Sequence, residues 1–369
     1  MSLTHEIWWY TPDGIPIKVL KPKDFTVMSL AYGKNEYGEM NISIPLNELK
    51  PSDFGEYQIF EVYRIIDGHK KLEGERAWFL LDYSFDTDDR NVTTVFLTLF
   101  DTNWLLQKTI AAYAANEAET SKTGYADDVL KEIVYENLGA GATDTTRILA
   151  NLSIQASTSK APSITKAFSR RILLTLMQDI ATLSEQKGTY LAFDIVRTGR
   201  ALFEFKTYIG QRGKDLTGDN KLVLSKDFKN LVEPQLSYIN SKTKNVIYAG
   251  GRGIDAERIM ATALDTASIG MTQWSRSEEF INASYAENAT QLQDEANSEL
   301  QEQRKRKVLN GYIQETKNFR YGIHFDYGDR LVAKYMDQSF YVHVDAINMT
   351  VSANSDQYEK LYIRARGEA

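Results

Sequence analysis

The chain has 369 residues, 43% hydrophobic, 11% aromatic and 25% charged, which is enough apolar material for two or three cored domains. It has no cysteine, which removes disulfides, thiolate catalysis and cysteine-based zinc or iron–sulfur sites. A formal net charge of −7 disfavours tight nucleic-acid binding, and no apolar run of about 18 residues offers a membrane anchor.

The opening "MSLTHEIWWY" lacks the basic-then-apolar layout of a signal peptide. The first hundred or so residues read as β-structure. "PIKVL" and "MNISIPL" are short, β-rich and bounded by Pro, Gly and Asn. In "QIFEVYRI", Ile59, Glu61 and Tyr63 alternate with Phe60, Val62 and Arg64, and Asp67-Gly68 behind them makes a hairpin turn. "WFLLDYSF" and "NVTTVFLTLF" flank a polar loop from Asp86 to Arg90. Strands at this spacing predict a small antiparallel barrel or sandwich.

Asp101 reads as an N-cap for a first helix over "NWLLQKTIAAY". A second helix is predicted over "ADDVLKEIVYENLG". Val129, Ile133 and Val134 share a face, Asp127 and Asp128 occupy the first turn, and Gly139 lies beyond the last. Residues 139–167, rich in Ser, Thr and Ala, predict a long, partly irregular loop. A third helix is predicted from Ser169, with Ile172, Leu176, Ile180 and Leu183 as its stripe and Gly188 as its stop. "TYLAFDIVR" and "ALFEFKTYI" form a hairpin about Thr198-Gly199, in which Leu191, Phe193 and Ile195 face Phe203 and Phe205.

Residues 210–252 return to turns and strands. Residues 285–307 predict a helix with a narrow stripe of Leu292, Ala296 and Leu300. The remainder is β, ending in a strand where Leu361, Ile363 and Ala365 alternate with Tyr362, Arg364 and Arg366. The simplest description is two β units interrupted by helical insertions.

Few residues gather into a chemical motif. In "YGIHFDYGDRLVAK", His324 and Asp326 share one strand face, and Gly328-Asp329 reads as a bulge or tight turn. Gly251, Gly253 and Ala256 spell G-x-G-x-x-A, but no βαβ unit with a ribose-binding acid follows. Gly250, Gly251 and Gly253 are therefore read as a bulge or close backbone approach. "HEIWW" places Trp9 where a zinc protease needs its second histidine. "DTDDRN" carries Arg90 where a calcium loop needs oxygen. The basic run Arg304, Lys305, Arg306 and Lys307 closes the last helix, where cations are favoured by about 0.3–1 kcal/mol each. The same run is a candidate lumen or partner contact. No catalytic residue, metal site or cofactor is expected.

Taken in order, "WWYTPDGIPIKVL", "VYRIIDGHKKLEGERAWFL", "LFDTNWLL", "RGKDLTGDNKLVLSKDFKNL", "NVIYAGGRG" and "YGIHFDYGDRLVAKY" resemble the tail-tip (baseplate) hub proteins of long-tailed bacteriophages. The resemblance runs over most of the chain and is weakest at 139–167 and 263–310. It implies an α+β, β-dominated fold with two related antiparallel β-barrels: residues 1–101, and residues 207–262 plus 308–369. Residues 102–206 and 263–307 would be helical insertions. It further implies a homotrimeric, non-enzymatic hub in the virion tail, assembled in the host cytoplasm. Such a hub joins the sixfold tail tube to a threefold tip and forms part of the DNA exit channel. Its partners would be the distal tail ring protein, the tape-measure protein and a fibre or spike protein, with DNA only in passage. Larger hub proteins carry a C-terminal fibre-like or wall-degrading extension; only three residues follow Arg366 here, so wall digestion would fall to a separate protein. The alternative reading is a carbohydrate-binding or glycan-hydrolysing adhesion protein, motivated by the abundance of Tyr and Trp.

Overall fold

In the computed structural model, residues 3–46, 49–112, 120–241, 243–254, 257–284, 286, 288–303, 306–352 and 358–367 are described. Side chains at 239, 302, 306, 307, 358–360 and 364–367 are not. Residues 3–101 supply the strands β1 (Leu3–Tyr10), β2 (Pro16–Leu20), β3 (Val27–Gly33), β4 (Glu39–Pro45), β5 (Ile59–Ile66), β6 (His69–Leu72), β7 (Trp78–Thr87) and β8 (Thr93–Asp101). Period-two alternation buries Met28 and Leu30, Met40 and Ile42, and Leu97 and Leu99 in one core, each 3% exposed or less. Asp67 and Gly68 turn the β5–β6 hairpin with φ of 48° and 86°, the positive values a two-residue loop demands.

The insertion that follows contains α1 (Trp104–Gln107), β9 (Thr120–Tyr125), α2 (Ala126–Leu138), β10 (Leu152–Ile154), β11 (Ser163–Phe168), α3 (Leu173–Gln186), β12 (Leu191–Gly199) and β13 (Leu202–Ile209). Val129, Ile133, Val134, Leu176, Ile180, Leu183, Phe193 and Phe205 meet in a second core, as their spacing predicts. The first helix is shorter than predicted, and part of its expected range, 113–119, lies outside the described residues. The third helix starts at Leu173 rather than Ser169, and Ile172 is its 38%-exposed N-cap rather than part of its stripe. One contact explains both: Ile110 bridges Ile172, and the Ala111 N–H donates to the Arg171 carbonyl at 2.7 Å, which holds both segments extended. The expected loop over 139–167 contains β10 and β11, which pair with β13 and β9.

The remaining elements are β14 (Val223–Ser225), β15 (Leu231–Ile239), β16 (Val246–Gly250), β17 (Met260–Leu264), α4 (Thr266–Ile269), β18 (Glu278–Asn282), α5 (Ala289–Glu302), β19 (Arg306–Ile313), β20 (Arg330–Tyr335), β21 (Gln338–Ser352) and β22 (Tyr358–Gly367). β16, β17 and β18 form a separate three-stranded sheet, and Leu292, Ala296 and Leu300 of α5 pack on Ile247 and Ala249. Lys166, 1% exposed, donates to Glu295 at 2.6 Å and ties this unit to the first insertion.

The described strands do not close into two separate barrels. Fourteen belong to one continuous sheet, with the path β15-β19-β22-β21-β3-β4-β8-β7-β5-β1-β2. β21 makes this join. Gln338–His343 pairs with β20, a bulge between Val344 and Ala346 re-aims the strand, and Ala346–Ser352 then pairs with β3.

A buried ionic cluster sits beside the join. Arg76, at the entry to β7, bonds both Asp101 of β8 and Asp194 of β12. Asp194 also accepts from Arg212 Nε at 2.6 Å and Asn103 Nδ2 at 3.0 Å. Arg76, Asp101 and Asp194 are each 1% exposed or less. Burial works to raise the Asp194 carboxyl, and the two guanidiniums outweigh it, leaving Asp194 below the usual carboxylate range. Asp101 has one guanidinium instead of two, and burial pushes it up.

Asp194→Asn leaves Arg76 and Arg212 undercompensated and should destabilise the fold by about 3–5 kcal/mol in urea titrations. Lys70→Ala, which breaks the more exposed Glu6 pair, should cost under about 1 kcal/mol. Because the folded Asp194 value lies below the unfolded one, near 3.9, its stabilisation is present above that pH. It is lost as pH falls through the folded value, so Asp194→Asn should also weaken the acid-side dependence of stability. Equal costs for the two variants would refute the central role of the cluster.

Candidate functional site

The surface with the clearest organisation is the face of the large sheet turned away from the core. Alternation places Ser29, Asn41, Ser43, Thr94, Thr98, Asn348 and Thr350 there. Glu39 on β4 and Asp82 and Asp86 on β7 lie among them, with the 47%-exposed Phe96 of β8; Arg330 and Lys334 of β20 lie on the same face, and β22 registers Lys360 opposite Thr350 and Arg364 opposite Ala346. Hydroxyls and amides in strands at this density cannot form a core, so this part of the face remains solvated, and over the whole sheet the face carries charges of both signs.

Of the strands with an unpaired side among the described residues, two border this polar face. β7 pairs with β5 only at Trp78 and Phe79, so Leu81–Thr87 has β8 on one side and no described strand on the other. Tyr83 and Phe85 lie there on the core side, 38% and 39% exposed. At the opposite end β15 pairs only with β19. Pro234, in the bulge between Val232 and Gln235 of β15, has no N–H to give, which suits a bulged edge strand.

These two edges belong to a repeated pattern. Numbering β3, β4, β7 and β8 in chain order, the sheet order is 3-4-2-1; β15, β19, β21 and β22 give 3-4-2-1 again. The internal seam joins strand 1 of the first set, β3, to strand 3 of the second, β21. β7 repeats the β21 bulge, between Leu80 and Asp82, at the point where its β5 pairing stops. The outer edges are therefore another strand 3 and another strand 1.

The residues singled out in the sequence have local partners. Gly250 ends β16, and the Arg258 guanidinium lies where its Cβ would point, 2.5 Å away. Gly251 N–H donates to the Ile259 carbonyl at 2.8 Å, and Gly253 has φ +108°, so the chain reverses into antiparallel β17. A parallel partner that the sequence did not reveal exists in β18, but among the described residues, which exclude Ala256, no helix starts at the glycines, and a dinucleotide cradle needs one. Residues 319–329 form successive turns rather than the expected strand, because the Arg320 carbonyl accepts from His324 and Phe325, at 2.9 and 3.4 Å. Ile323 is 41% exposed while Phe325 and Tyr327 are buried, so the expected shared face does not form. Gly328 has φ +85°, and Asp329 accepts from Lys214 N–H at 2.6 Å and Asp326 N–H at 2.7 Å. His324 Nδ1 accepts from the Arg320 N–H at 3.0 Å, and Asp326 pairs with Lys71. Neither is aimed at the other as base and orienter. Arg304 and Lys305 lie outside the described residues. Arg306 and Lys307 begin β19 rather than closing α5, which ends at Glu302.

Two buried clusters escaped the sequence. One is the Arg76–Asp101–Asp194–Arg212 cluster. In the other, Glu73 accepts from both Tyr32 and Tyr321 hydroxyls at 2.5 Å, linking the two β sets. Single charges 118 positions apart carry no mutual signal in sequence.

This architecture is that of phage tail-type structural proteins. It is similar over 98% of its length to a tail protein from Neisseria meningitidis MC58 (TM-score 0.60, 11% identity, 96% of that chain). It is equally similar in extent to the 43 kDa tail protein of prophage MuSo2 from Shewanella oneidensis (TM-score 0.58, 10% identity, 98% of each chain). A Francisella PdpA–VgrG complex shares the fold over the whole chain, at TM-score 0.54 and 9% identity, but over 58% of its own chain. The chain belongs to the Siphovirus ReqiPepy6 Gp37-like protein family, whose model matches residues 62–363. No curated protein matches it in sequence.

Gly328→Ala forces a positive φ on an L-residue and sets its Cβ 2.9 Å from Arg212 Cβ. It should destabilise by more than about 1 kcal/mol. Gly218→Ala, with nothing within 4 Å of its Cβ, should be near neutral. Denaturation midpoints compare the two, and a silent Gly328→Ala would show that the turn tolerates other conformations.

Proposed function

We propose that this chain is the hub of a phage tail tip, closing into a homotrimeric ring whose inner wall is the polar sheet face. The observation that carries the reading is the repeated 3-4-2-1 order. The seam inside one chain joins a strand 1 to a strand 3, and the two open edges are a strand 3, β7, and a strand 1, β15. The same joint made between chains is heterologous and closes when the rotation per set divides a circle. Three chains then contribute six sets, which meet a sixfold tube above and a threefold tip below. Each set, with its flanking strands, stands as one of two related barrel-like units.

Exposed rings at Tyr83 and Phe85 suit burial under an added strand. Over β3, β4 and β8 a wall of Ser, Thr and Asn with scattered carboxylates lets phosphates slide past without capture, and the cations of β20 and β22 lie across β21 from these strands. The run Arg304 to Lys307 belongs to this reading as a lumen or partner contact at the entry to β19. The partners are the distal ring protein, the tape-measure protein and a fibre or spike protein; likeness to a chain found in a PdpA–VgrG complex supports assembly with a further protein. Assembly in the host cytoplasm, placement in the virion tail and a structural rather than catalytic role follow from the same reading.

Native mass spectrometry of the purified chain, or of tail tips, should return three copies, and Phe85→Lys on the free half of β7 should return monomers that remain folded. A monomeric wild-type chain in assembled tips, or six copies per tip, rules the ring out. Lysines introduced together at Thr98, Asn348 and Thr350 should slow DNA ejection from otherwise complete particles, most at low salt. An unchanged ejection rate counts against this face as the channel wall.

A further inference from the structure

A cleft opens where the first β-set meets the first insertion. Tyr57, Phe79, Trp104, Leu149 and Phe203 wall it, and it encloses about 310 Å³. Its lining includes no Asp or Glu, and Lys108 carries its only formal charge. The Lys108 ammonium lies 4.5 Å from the Trp104 ring centroid and 5.5 Å from that of Tyr57. Among the described residues no carboxylate pairs with it. Desolvation beside these rings holds it below the ordinary lysine range, although the residue as a whole is exposed.

The aromatic surface continues beyond the cleft. Tyr57 lies 6.5 Å from Trp104, Trp104 stacks 6.4 Å from Phe100, and Phe100 meets Tyr37 at 5.7 Å. Tyr57 and Tyr37, at the two ends, are 46% and 39% exposed. An extended peptide advances about 3.3 Å per residue, so its alternate side chains recur every ~6.6 Å. That repeat matches the ring spacing. A glycan would bring hydroxyls that need acceptors, and the cleft offers mainly carbon and the Asn151 amide. A ligand with apolar side chains and a carboxylate satisfies both the walls and the unpaired ammonium.

We propose that this cleft binds an extended, acidic segment of a partner protein, with an apolar side chain between Tyr57, Trp104 and Phe203 and a carboxylate on Lys108. The site is separate from the ring edges, and the segment seats on a single chain.

Two fluorescein-labelled nonapeptides of alternating Leu and Ser test this, one with two serines replaced by Asp and one with the same two replaced by Lys. Titration into the full chain, read by anisotropy, should show the acidic peptide binding about tenfold tighter. Lys108→Glu should reverse that preference, Lys108→Gln should abolish it, and Ala150→Trp, on the exposed lip of the cleft, should weaken both peptides. No binding, equal affinity for the two peptides, or a preference that survives Lys108→Glu overturns the proposal. So does cell-wall glycan binding that Ala150→Trp blocks. Every variant should still form the same oligomer as the parent chain, which separates failure of this site from failure of the ring.

Discussion

β21 is the strand on which the architecture turns. It is fifteen residues long, and a single bulge divides it between two neighbours. Its first half belongs to β20 and the second β-set; its second half crosses to β3 and the first. Without that division the sets would each keep a free edge, and backbone N–H and C=O groups at the seam would be left without partners. With it, one sheet spans both sets.

The charges beside the seam reinforce the hydrogen-bonded join. Arg76 and Asp101 come from the first set, Asp194 from the insertion, and Arg212 from the stretch entering the second. A buried guanidinium is tolerable only when carboxylates, carbonyls and rings surround it together, and Tyr32, 4.9 Å from the Arg76 guanidinium, completes that shell. Such a cluster adds little net stability over apolar packing. It does penalise any arrangement of the three segments that separates the charges, so it specifies one geometry.

The two faces of the large sheet divide the labour. The inner face is aliphatic and aromatic and is covered within the chain except at Tyr83 and Phe85. The outer face is polar, and the sheet runs out at an edge on β7 where Tyr83 and Phe85 are exposed on the core side, and at an edge with proline in it on β15. That contrast is what the proposed ring rests on, and the Tyr57–Trp104 cleft is proposed as a separate point of contact.

Strand content, the α2 and α3 stripes, the β12–β13 hairpin and the Asp67-Gly68 turn were legible in sequence, because each depends on neighbours within a few positions. The family resemblance was legible too, as an order of soft motifs that the 62–363 match now supports. The failures share one cause. In β5, Glu61 and Arg64 belong to opposite faces yet are 0% and 2% exposed, because the insertion brings Arg197 to Glu61 and residues 315–321 bring Glu315 to Arg64. The first and third helices are shortened by the contact between Ile110 and Ile172, and residues 319–329 curl into turns about one carbonyl. Local pattern determines which backbone conformation a segment prefers and which side chains seek water. Which strand lies beside which, which charge meets which, and where a cleft remains open are decided by contacts between distant segments, whose energies exist only once the chain has closed on itself.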